Sequence, residues 1–308
     1  MVDLHIKRGN MKLYAPKYYK DFVCIADRCR HSCCIGWEID VDSDTLEKYA
    51  ALTEGYGKRI WESIEDMDGC PHFALSEDER CPHLDERGLC RIICEMGEGY
   101  LCDICREHPR FYNRSSKGLE AGLGLCCEEA CRIILSSDEY AEMILLGEEE
   151  GEECFSDFDS SAFRNEIYSV LSDKKIPYAE RIKLIYEKFG VSPASVDDSR
   201  WREVLSFVEL LCEEHRDLFS LYSSDIETPS EMEDILGRSL AYFVYRHTGG
   251  AKDEQELHAS LGFALFCERL LASIAKGGTD IYEAARIISE ELEYSEDNTD
   301  AVKEEFLF

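Results

Sequence analysis

The sequence predicts a mainly α protein in which a cysteine-rich, metal-binding N-terminal region with short strands and helices is followed by an α-helical bundle. Fourteen of the sixteen cysteines lie at or before Cys154. Beyond that point apolar residues recur at spacings of three and four, which is typical of amphipathic helices. The acidic, glycine-containing stretch 147–154 suits a linker. We therefore predict a metal-binding domain at residues 1–150 and a helical domain at 151–308.

The predicted elements of the N-terminal region are short. Residues 37–42 alternate apolar and polar side chains, which favours a strand. A helix is expected to begin at Ser43, with that serine as its cap, and another at Glu128, where acidic residues suit a first turn. Residues 120–124 read Glu-Ala-Gly-Leu-Gly. A lone Gly-x-Gly is a weak motif, so we predict a turn there.

The helices of the C-terminal half are predicted from one recurring pattern. It runs through residues 163–171, 182–189, 201–212, 236–244, 261–274 and 281–292. Pro177, Pro193, Pro229 and the pair Gly277-Gly278 separate these segments. No repeat of fixed period is present, so a helical bundle or array is expected.

The net charge of −31 bears on the partner. It argues against nucleic acid, because phosphate contacts supply most of that affinity. It fits a basic, lysine-bearing partner, although solubility alone would also explain it. The first residues contain no apolar signal segment, and no apolar run approaches the roughly 20 residues of a membrane span. We therefore predict a cytoplasmic protein without a membrane partner, whose cysteines are metal ligands or redox groups rather than disulfides.

Cysteine density is the strongest chemical signal. Four thiols fall within residues 24–34, and soft thiolates select zinc and iron–sulfur clusters. The CxxC pair Cys102–Cys105 suits zinc, whereas the irregular run from Cys24 to Cys34 suits a cluster. The Cys-x3-Cys-x2-Cys spacing of radical enzymes is absent. Inert, buried cysteines are the alternative for one or two of these residues.

Two further groups of residues have open roles. Histidines 31, 72, 83 and 108 lie near thiols and could bind metal, although a lone histidine beside a cysteine more often supports a ligand or is exposed. The acidic segment 288–298 either lines a cleft that receives a lysine, with Glu291 and Glu293 as candidates, or forms a solvated helix face.

The sequence resembles the flagellin lysine-N-methylases, which belong with cysteine-cluster proteins described as zinc- or iron-chelating. Six blocks carry the resemblance over nearly the whole chain: residues 14–18, 22–40, 81–90, 100–110, 125–130 and 289–298. This chain departs from the family at two positions. It has His108-Pro-Arg110 where the family usually has Tyr-Pro-Arg, and it has Glu128 after Cys127 where the family has a proline.

The resemblance implies methyl transfer from S-adenosylmethionine to surface lysines of flagellin. It also implies an iron–sulfur cluster, of the 4Fe–4S type, with zinc as the alternative metal. The ligand candidates carried over by position are Cys24, Cys29, Cys33, Cys34, Cys81, Cys90, Cys105 and Cys127. A non-catalytic zinc- or iron-chelating protein is the competing hypothesis, because it would explain the cysteines without a reaction.

Overall fold

The computed structural model describes residues 8–115, 117–152 and 158–307. Within them the chain forms two compact units. The helical unit contains residues 8–22, 111–126 and 130–307, and the cysteine unit contains residues 23–110 and 127–129. This grouping runs across the predicted boundary at residue 150, because the N-terminal strand pairs with later strands of the helical unit. The two-domain assignment of 1–150 and 151–308 stays a prediction.

Helices predominate among the described residues, which confirms a mainly α protein. The α-helices are α1 Ser43–Ala50, α2 Gly55–Glu62, α3 Arg91–Met96, α4 Asp103–Glu107, α5 Glu128–Ser136, α6 Ser161–Ser172, α7 Tyr178–Phe189, α8 Asp198–Phe207, α9 Arg216–Phe219, α10 Glu233–Thr248, α11 Glu254–Lys276, α12 Ile281–Ile288 and α13 Glu296–Glu304. The strands are β1 Arg8–Pro16, β2 Ile64–Met67, β3 Cys70–Phe73, β4 Arg110–Ser115, β5 Gly118–Leu123 and β6 Met143–Glu152.

A four-stranded mixed sheet, in the order β4-β5-β1-β6, belongs to the helical unit. Strand β1 is parallel to β5, with Leu13 opposite Leu119, and antiparallel to β6. A Cβ at Gly118 would lie 2.3 Å from the carbonyl oxygen of Lys12, so the close approach of β5 to β1 requires glycine there. The sheet corrects two expectations. Residues 120–123 form a strand and not a turn, and residues 147–152 of the expected linker extend β6.

Helix α11 is the centre of the helical unit's core. Its long buried run includes Leu261, Phe263 and Leu270, and its start is capped by Asp253, whose carboxylate accepts a hydrogen bond from Glu256 N. By length and composition α11 could span a membrane, but 94% of its apolar window is buried within the protein. Such burial is typical of a central core helix, which is apolar on every face.

Ion pairs are buried beside this apolar core. Arg164 donates two hydrogen bonds to the Glu120 carboxylate, at 2.7 and 2.6 Å, and both side chains are almost fully buried. Glu268 on α11 is likewise paired with Arg269 and accepts a hydrogen bond from the Tyr178 hydroxyl at 2.7 Å. Each pair shields its charges from the low-dielectric interior only while both partners remain.

The cysteine unit has shorter elements and a smaller core. Its buried residues are Ile39, Val41, Tyr49, Ile60, Phe73, Cys81, Ile92 and Cys102, so two of the eight are cysteines. Helix α1 is capped by Asp42, one residue before the predicted Ser43, because the Asp42 carboxylate accepts a hydrogen bond from Thr45 N at 2.9 Å. The strand expected at 37–42 is reduced to one bridge, between Asp40 and His72.

Candidate metal centre

Backbone hydrogen bonds bring the first cysteine block of the cysteine unit to the second. Cys81 N donates to the carbonyl oxygen of Cys34 at 2.8 Å, next to a bridge between Ile35 and Arg80. After Cys81 the chain makes a tight turn and reverses direction at Gly88, where φ is +78°. An antiparallel bridge then joins Leu84 to Cys90. Cysteines far apart in sequence therefore lie together because two short turns hold them.

The Cys34 sulfur is the centre of a thiol network. Its interaction with the thiols of Cys33 and Cys81 lowers the pKa of Cys34 to about 3. The same interaction raises the pKa of Cys33 and of Cys81. These three thiols therefore titrate as one coupled group, and a bound cation would release their protons.

A second thiol pair comes from the CxxC motif. Cys102 precedes α4 and Cys105 lies within it, since Asp103 N donates to the Asp42 carboxylate at 2.8 Å and fixes the start of that helix. The interaction between the two thiols lowers the pKa of Cys102 and raises that of Cys105. Cys102 is absent from the eight predicted ligands. Its CxxC spacing with Cys105 was the sequence signal from which it could have been predicted as a ligand.

The remaining predicted cysteines interact electrostatically with these pairs. Cys90 and Cys105 both interact with Cys34, and Cys24 and Cys127 interact with Cys33. Cys29 interacts with Cys24, and its thiol lies 3.9 Å from the Glu128 carboxylate. All eight predicted positions thus belong to one connected set within the cysteine unit. Their role as ligands stays a prediction.

The other described cysteines are not among the eight predicted ligands. Cys70 is exposed on β3, and Cys94 is an exposed neighbour of Cys90. The helical unit contains Cys126, Cys131, Cys212 and Cys267. Cys154 lies outside the described residues. The structure therefore places these four thiols in the helical unit, a division that the sequence alone could not give.

His83 supports the network and does not offer a free nitrogen. Its Nδ1 lies 2.9 Å from the Tyr56 hydroxyl and its Nε2 lies 2.9 Å from the Ser63 hydroxyl. Ser63 Oγ donates to the Ile60 carbonyl, so it accepts from Nε2–H, and Nδ1 accepts from Tyr56. Burial lowers the pKa of His83 to about 4, so the ring is neutral. Ligation by His83 would break both hydrogen bonds.

The other histidines near thiols differ from one another. Burial lowers the pKa of His108 to about 4, and this ring interacts electrostatically with Cys34. His72 Nδ1 lies 2.9 Å from the Cys70 carbonyl oxygen. His31 is half-buried, and its carbonyl oxygen accepts a hydrogen bond from the Cys29 thiol at 3.2 Å. His108 is therefore the histidine best placed to influence Cys34.

The spacing of the sulfurs bears on the metal they could hold. Thiolates on a tetrahedral zinc lie about 3.8 Å apart, given a zinc–sulfur bond of about 2.3 Å. In the described part of the chain, three candidate ligand atoms lie within 4.8 Å of one another at His215, Glu290 and Glu291, and the cysteine sulfurs do not meet that spacing in threes. Whether these thiols hold an iron–sulfur cluster or zinc therefore stays a prediction.

Glu291 and Glu293 of the acidic segment 288–298 are buried, which corrects both interpretations for these two residues, whereas Glu296 and Asp297 are exposed. Glu291 accepts hydrogen bonds from Leu211 N at 2.6 Å and Cys212 N at 3.1 Å, and it pairs with His215 at 2.6 Å. Glu293 pairs with His247 at 2.7 Å, within a network that also includes the Tyr242 hydroxyl. These carboxylates neither line an open cleft nor face solvent, because each satisfies buried donors of the helical unit.

Three curated proteins are similar to this chain. The lysine-N-methylases of Salmonella choleraesuis (strain SC-B67) and Salmonella typhimurium (strain LT2) are each 30% identical to it over 127 residues, which is 39% of this chain and 32% of each relative. The flagellar biosynthetic protein FliU of Salmonella muenchen is 29% identical over 139 residues, which is 43% of this chain and 80% of that protein. The match thus spans about a third of the length of the two methylases. No family model and no solved structure matches the sequence.

Proposed function

We propose that this protein transfers methyl groups from S-adenosylmethionine to surface lysines of flagellin, and that its cysteine unit holds an iron–sulfur cluster. The observation that carries the proposal is the similarity to two lysine-N-methylases at 30% identity. The similarity to a flagellar biosynthetic protein supports a flagellar substrate. The net charge of −31 supports a lysine-bearing one.

The thiol network supports the cluster part of the proposal. A 4Fe–4S cluster takes four thiolates. We propose that they come from the eight predicted cysteines together with Cys102, with Cys34 and Cys81 near the centre because Cys81 N donates a hydrogen bond to the Cys34 carbonyl oxygen. A bound cluster held by three of these thiolates would leave one iron open, and that iron would supply a Lewis acid toward the methionine part of the cofactor.

The transfer itself sets a requirement on the lysine. Its nitrogen forms a bond to the methyl carbon while the sulfonium–carbon bond breaks, leaving methyllysine, S-adenosylhomocysteine and one proton. Only the neutral amine has the electron pair for this attack, so the ammonium must lose its proton in the site. An acidic surface gathers lysines as ammonium ions, whereas a drier site favours the neutral form.

A non-catalytic chelating protein is the second candidate. The gathering of all eight predicted cysteines within the cysteine unit favours it, because that arrangement accounts for the thiols without any role for the helical unit. It leaves the similarity to lysine-N-methylases unexplained. The two candidates differ in whether flagellin is altered.

One experiment tests both parts. The full chain is purified without oxygen, analysed for iron, sulfide and zinc, and incubated with flagellin and methyl-labelled S-adenosylmethionine. We expect iron and sulfide in equal amounts and label on flagellin lysines, located by mass spectrometry. Stoichiometric zinc without sulfide would overturn the cluster. An intact cluster with unlabelled flagellin would favour the chelating protein.

A further inference from the structure

The helical unit contains a cavity of about 440 Å³ beside helices α6, α7 and α11. Its apolar wall includes Phe163 from α6 and Phe189 from α7, whose rings lie 4.5 Å apart at an angle of 55°. Leu257 and Leu261, one turn apart on α11, continue this wall. The aromatic pair offers π faces and edges to a guest, and the leucines offer a surface for an aliphatic chain.

Carboxylates surround the apolar wall. Asp159 and Glu166 line the cavity from the start and the middle of the α6 region, and Glu254 lines it from the first turn of α11. Each of the three is exposed. Glu254 makes no ion pair with any residue in the described part of the chain. His258, one turn after Glu254, also lines the cavity. An aromatic wall with an acidic rim favours an organic cation over an anion or a neutral guest.

The protein itself places an ammonium at the edge of this arrangement. Lys188 Nζ lies 5.7 Å from the centre of the Phe189 ring and 3.0 Å from the Glu166 carboxylate. Asp159 has a similar neighbour, since Lys117 Nζ lies 3.5 Å from its carboxylate. Two of the three carboxylates thus already hold an ammonium group. Glu254 is the carboxylate with the most charge to offer a guest.

We propose that this cavity is a docking pocket for the protonated side chain of a lysine on the protein substrate. The inference rests on the proposed function for the identity of the partner, and on the lining residues for the chemistry. The four methylene groups of a lysine would pack along Phe163 and Leu257, while its ammonium would lie near Glu254. The overall charge of −31 would favour the encounter.

The same residues argue that the docked lysine is not the lysine that is methylated. Nearby carboxylates stabilise the ammonium form and raise its pKa, whereas attack on a methyl sulfonium needs the neutral amine. A lysine held beside Glu254 and Glu166 is therefore anchored and unreactive. The pocket should lower the KM for protein substrate and leave kcat nearly unchanged, since it contributes uniform binding.

The test uses the full chain and a fluorescent peptide of alternating lysine and serine. The variant Glu254→Gln should raise the Kd of the peptide about threefold, the effect of losing one exposed ion pair. Lys188→Gln should lower the Kd by a similar factor, because it removes a competing ammonium from Glu166 and Phe189. The matched control is Glu187→Gln, which removes an exposed charge from the same helix, where Glu187 pairs with Lys183 outside the cavity.

Each outcome separates the pocket from the proposed reaction. A Kd that rises for Glu254→Gln and not for Glu187→Gln, with no binding of a glutamine–serine peptide, supports the pocket whether or not flagellin is methylated. Equal changes in Kd for the two variants would overturn it, because general charge would then explain the binding. If flagellin is methylated and Glu254→Gln leaves KM unchanged, the reaction stands and the docking role fails.

Discussion

The two units of this protein bury different chemistry. The helical unit buries a long apolar helix and charged pairs such as Glu120–Arg164, whose partners satisfy each other. The cysteine unit buries eight residues in its core, and two of them are thiols that also belong to the sulfur network. Its elements are short, and several of its connections are single bridges. One unit is stabilised by its own packing, whereas the other has little packing to rely on.

This difference suggests what each unit needs in order to fold. A small unit with a small core usually requires a staple, such as a bound metal, and the free energy of metal binding then contributes to folding. The helical unit has no such need, because burial of its apolar helices supplies the main driving force. Removing a thiol from the cysteine unit should therefore cause loss of metal and local unfolding, whereas breaking a buried ion pair in the helical unit should lower its free energy of unfolding.

The largest effect is expected from removing a sulfur at the centre of the network. Cys34→Ala or Cys81→Ala should abolish iron binding and unfold the cysteine unit, a loss of several kcal/mol, because structural metal binding can contribute on the order of 10 kcal/mol. Hydrogen exchange should show fast exchange in residues 23–110 and near-normal protection in α10 and α11.

The control for that prediction is Cys212→Ala. Cys212 lies in the helical unit, and its backbone N–H, which donates to Glu291, is retained in alanine. This variant should keep both its iron and its protection from exchange. If all three variants lost iron equally, the assignment of the network as the metal centre would be wrong.

The next effect tests the helical unit. Glu120→Leu leaves the Arg164 guanidinium buried without its carboxylate, so we expect a loss of about 3–5 kcal/mol in the free energy of unfolding. The double variant Glu120→Leu/Arg164→Leu should recover most of this loss, because no unpaired charge remains. Denaturant unfolding measures both values. Glu187→Gln, at an exposed pair, should cost less than about 1 kcal/mol.

The helical unit was predictable from sequence where its periodicity was strong. Segments such as 163–171 and 261–274 are helices, because a three-four spacing of apolar residues suits a buried helix face. The sheet was missed because its pairing is non-local. Strand β5 contains glycines at 118 and 122, and strand β6 ends in acidic residues, so neither shows the usual apolar alternation.

The sequence predicted which residue type forms the candidate metal centre, but not which cysteines lie next to one another. Soft ligand chemistry identifies cysteines as a set, but only the fold joins Cys34 to Cys81 and separates Cys126 from Cys127. The roles of Glu291 and Glu293 could not be read from sequence, because an acidic run looks the same whether solvent or buried donors satisfy it. Their partners, such as His215, are distant in the chain.

A smaller, pH-dependent effect should come from His247 in the helical unit. Burial lowers its pKa to about 4, although Glu293 acts to raise it. The unfolded chain binds this proton near pH 6.5, so the stability due to neutral His247 is complete above pH 6.5 and is lost as pH falls toward 4. At pH 5 the loss is about 2 kcal/mol.

The variant His247→Gln isolates this effect. At pH 8 the variant should be less stable than the wild type, because it loses the contact of the imidazole ring with Phe263. As the pH falls from 6.5 to 4, its free energy of unfolding should decrease less than that of the wild type. Urea unfolding across that range measures the difference between the two proteins. Parallel curves would mean that the pKa of His247 is not lowered in the folded state, because Glu293 then offsets the effect of burial.

The smallest expected effect concerns how substrate reaches the protein. Screening shortens from about 30 Å at 0.01 M salt to about 8 Å at 0.15 M, so long-range attraction of a lysine-bearing surface should weaken over that range. We expect methylation of flagellin at low substrate concentration to fall several-fold, while turnover at saturation changes less. Glu254→Gln, at the proposed docking pocket, should reduce this salt dependence.

Glu62→Gln removes an exposed charge from the cysteine unit, where Glu62 pairs with Lys58, and should leave the salt dependence nearly unchanged. That contrast would assign substrate capture to the helical unit. Equal effects of the two variants would instead spread capture over the whole acidic surface. If low-substrate rates did not respond to salt at all, the charge of −31 would serve solubility alone, and the argument from charge to a basic partner would fail even if methyl transfer were observed.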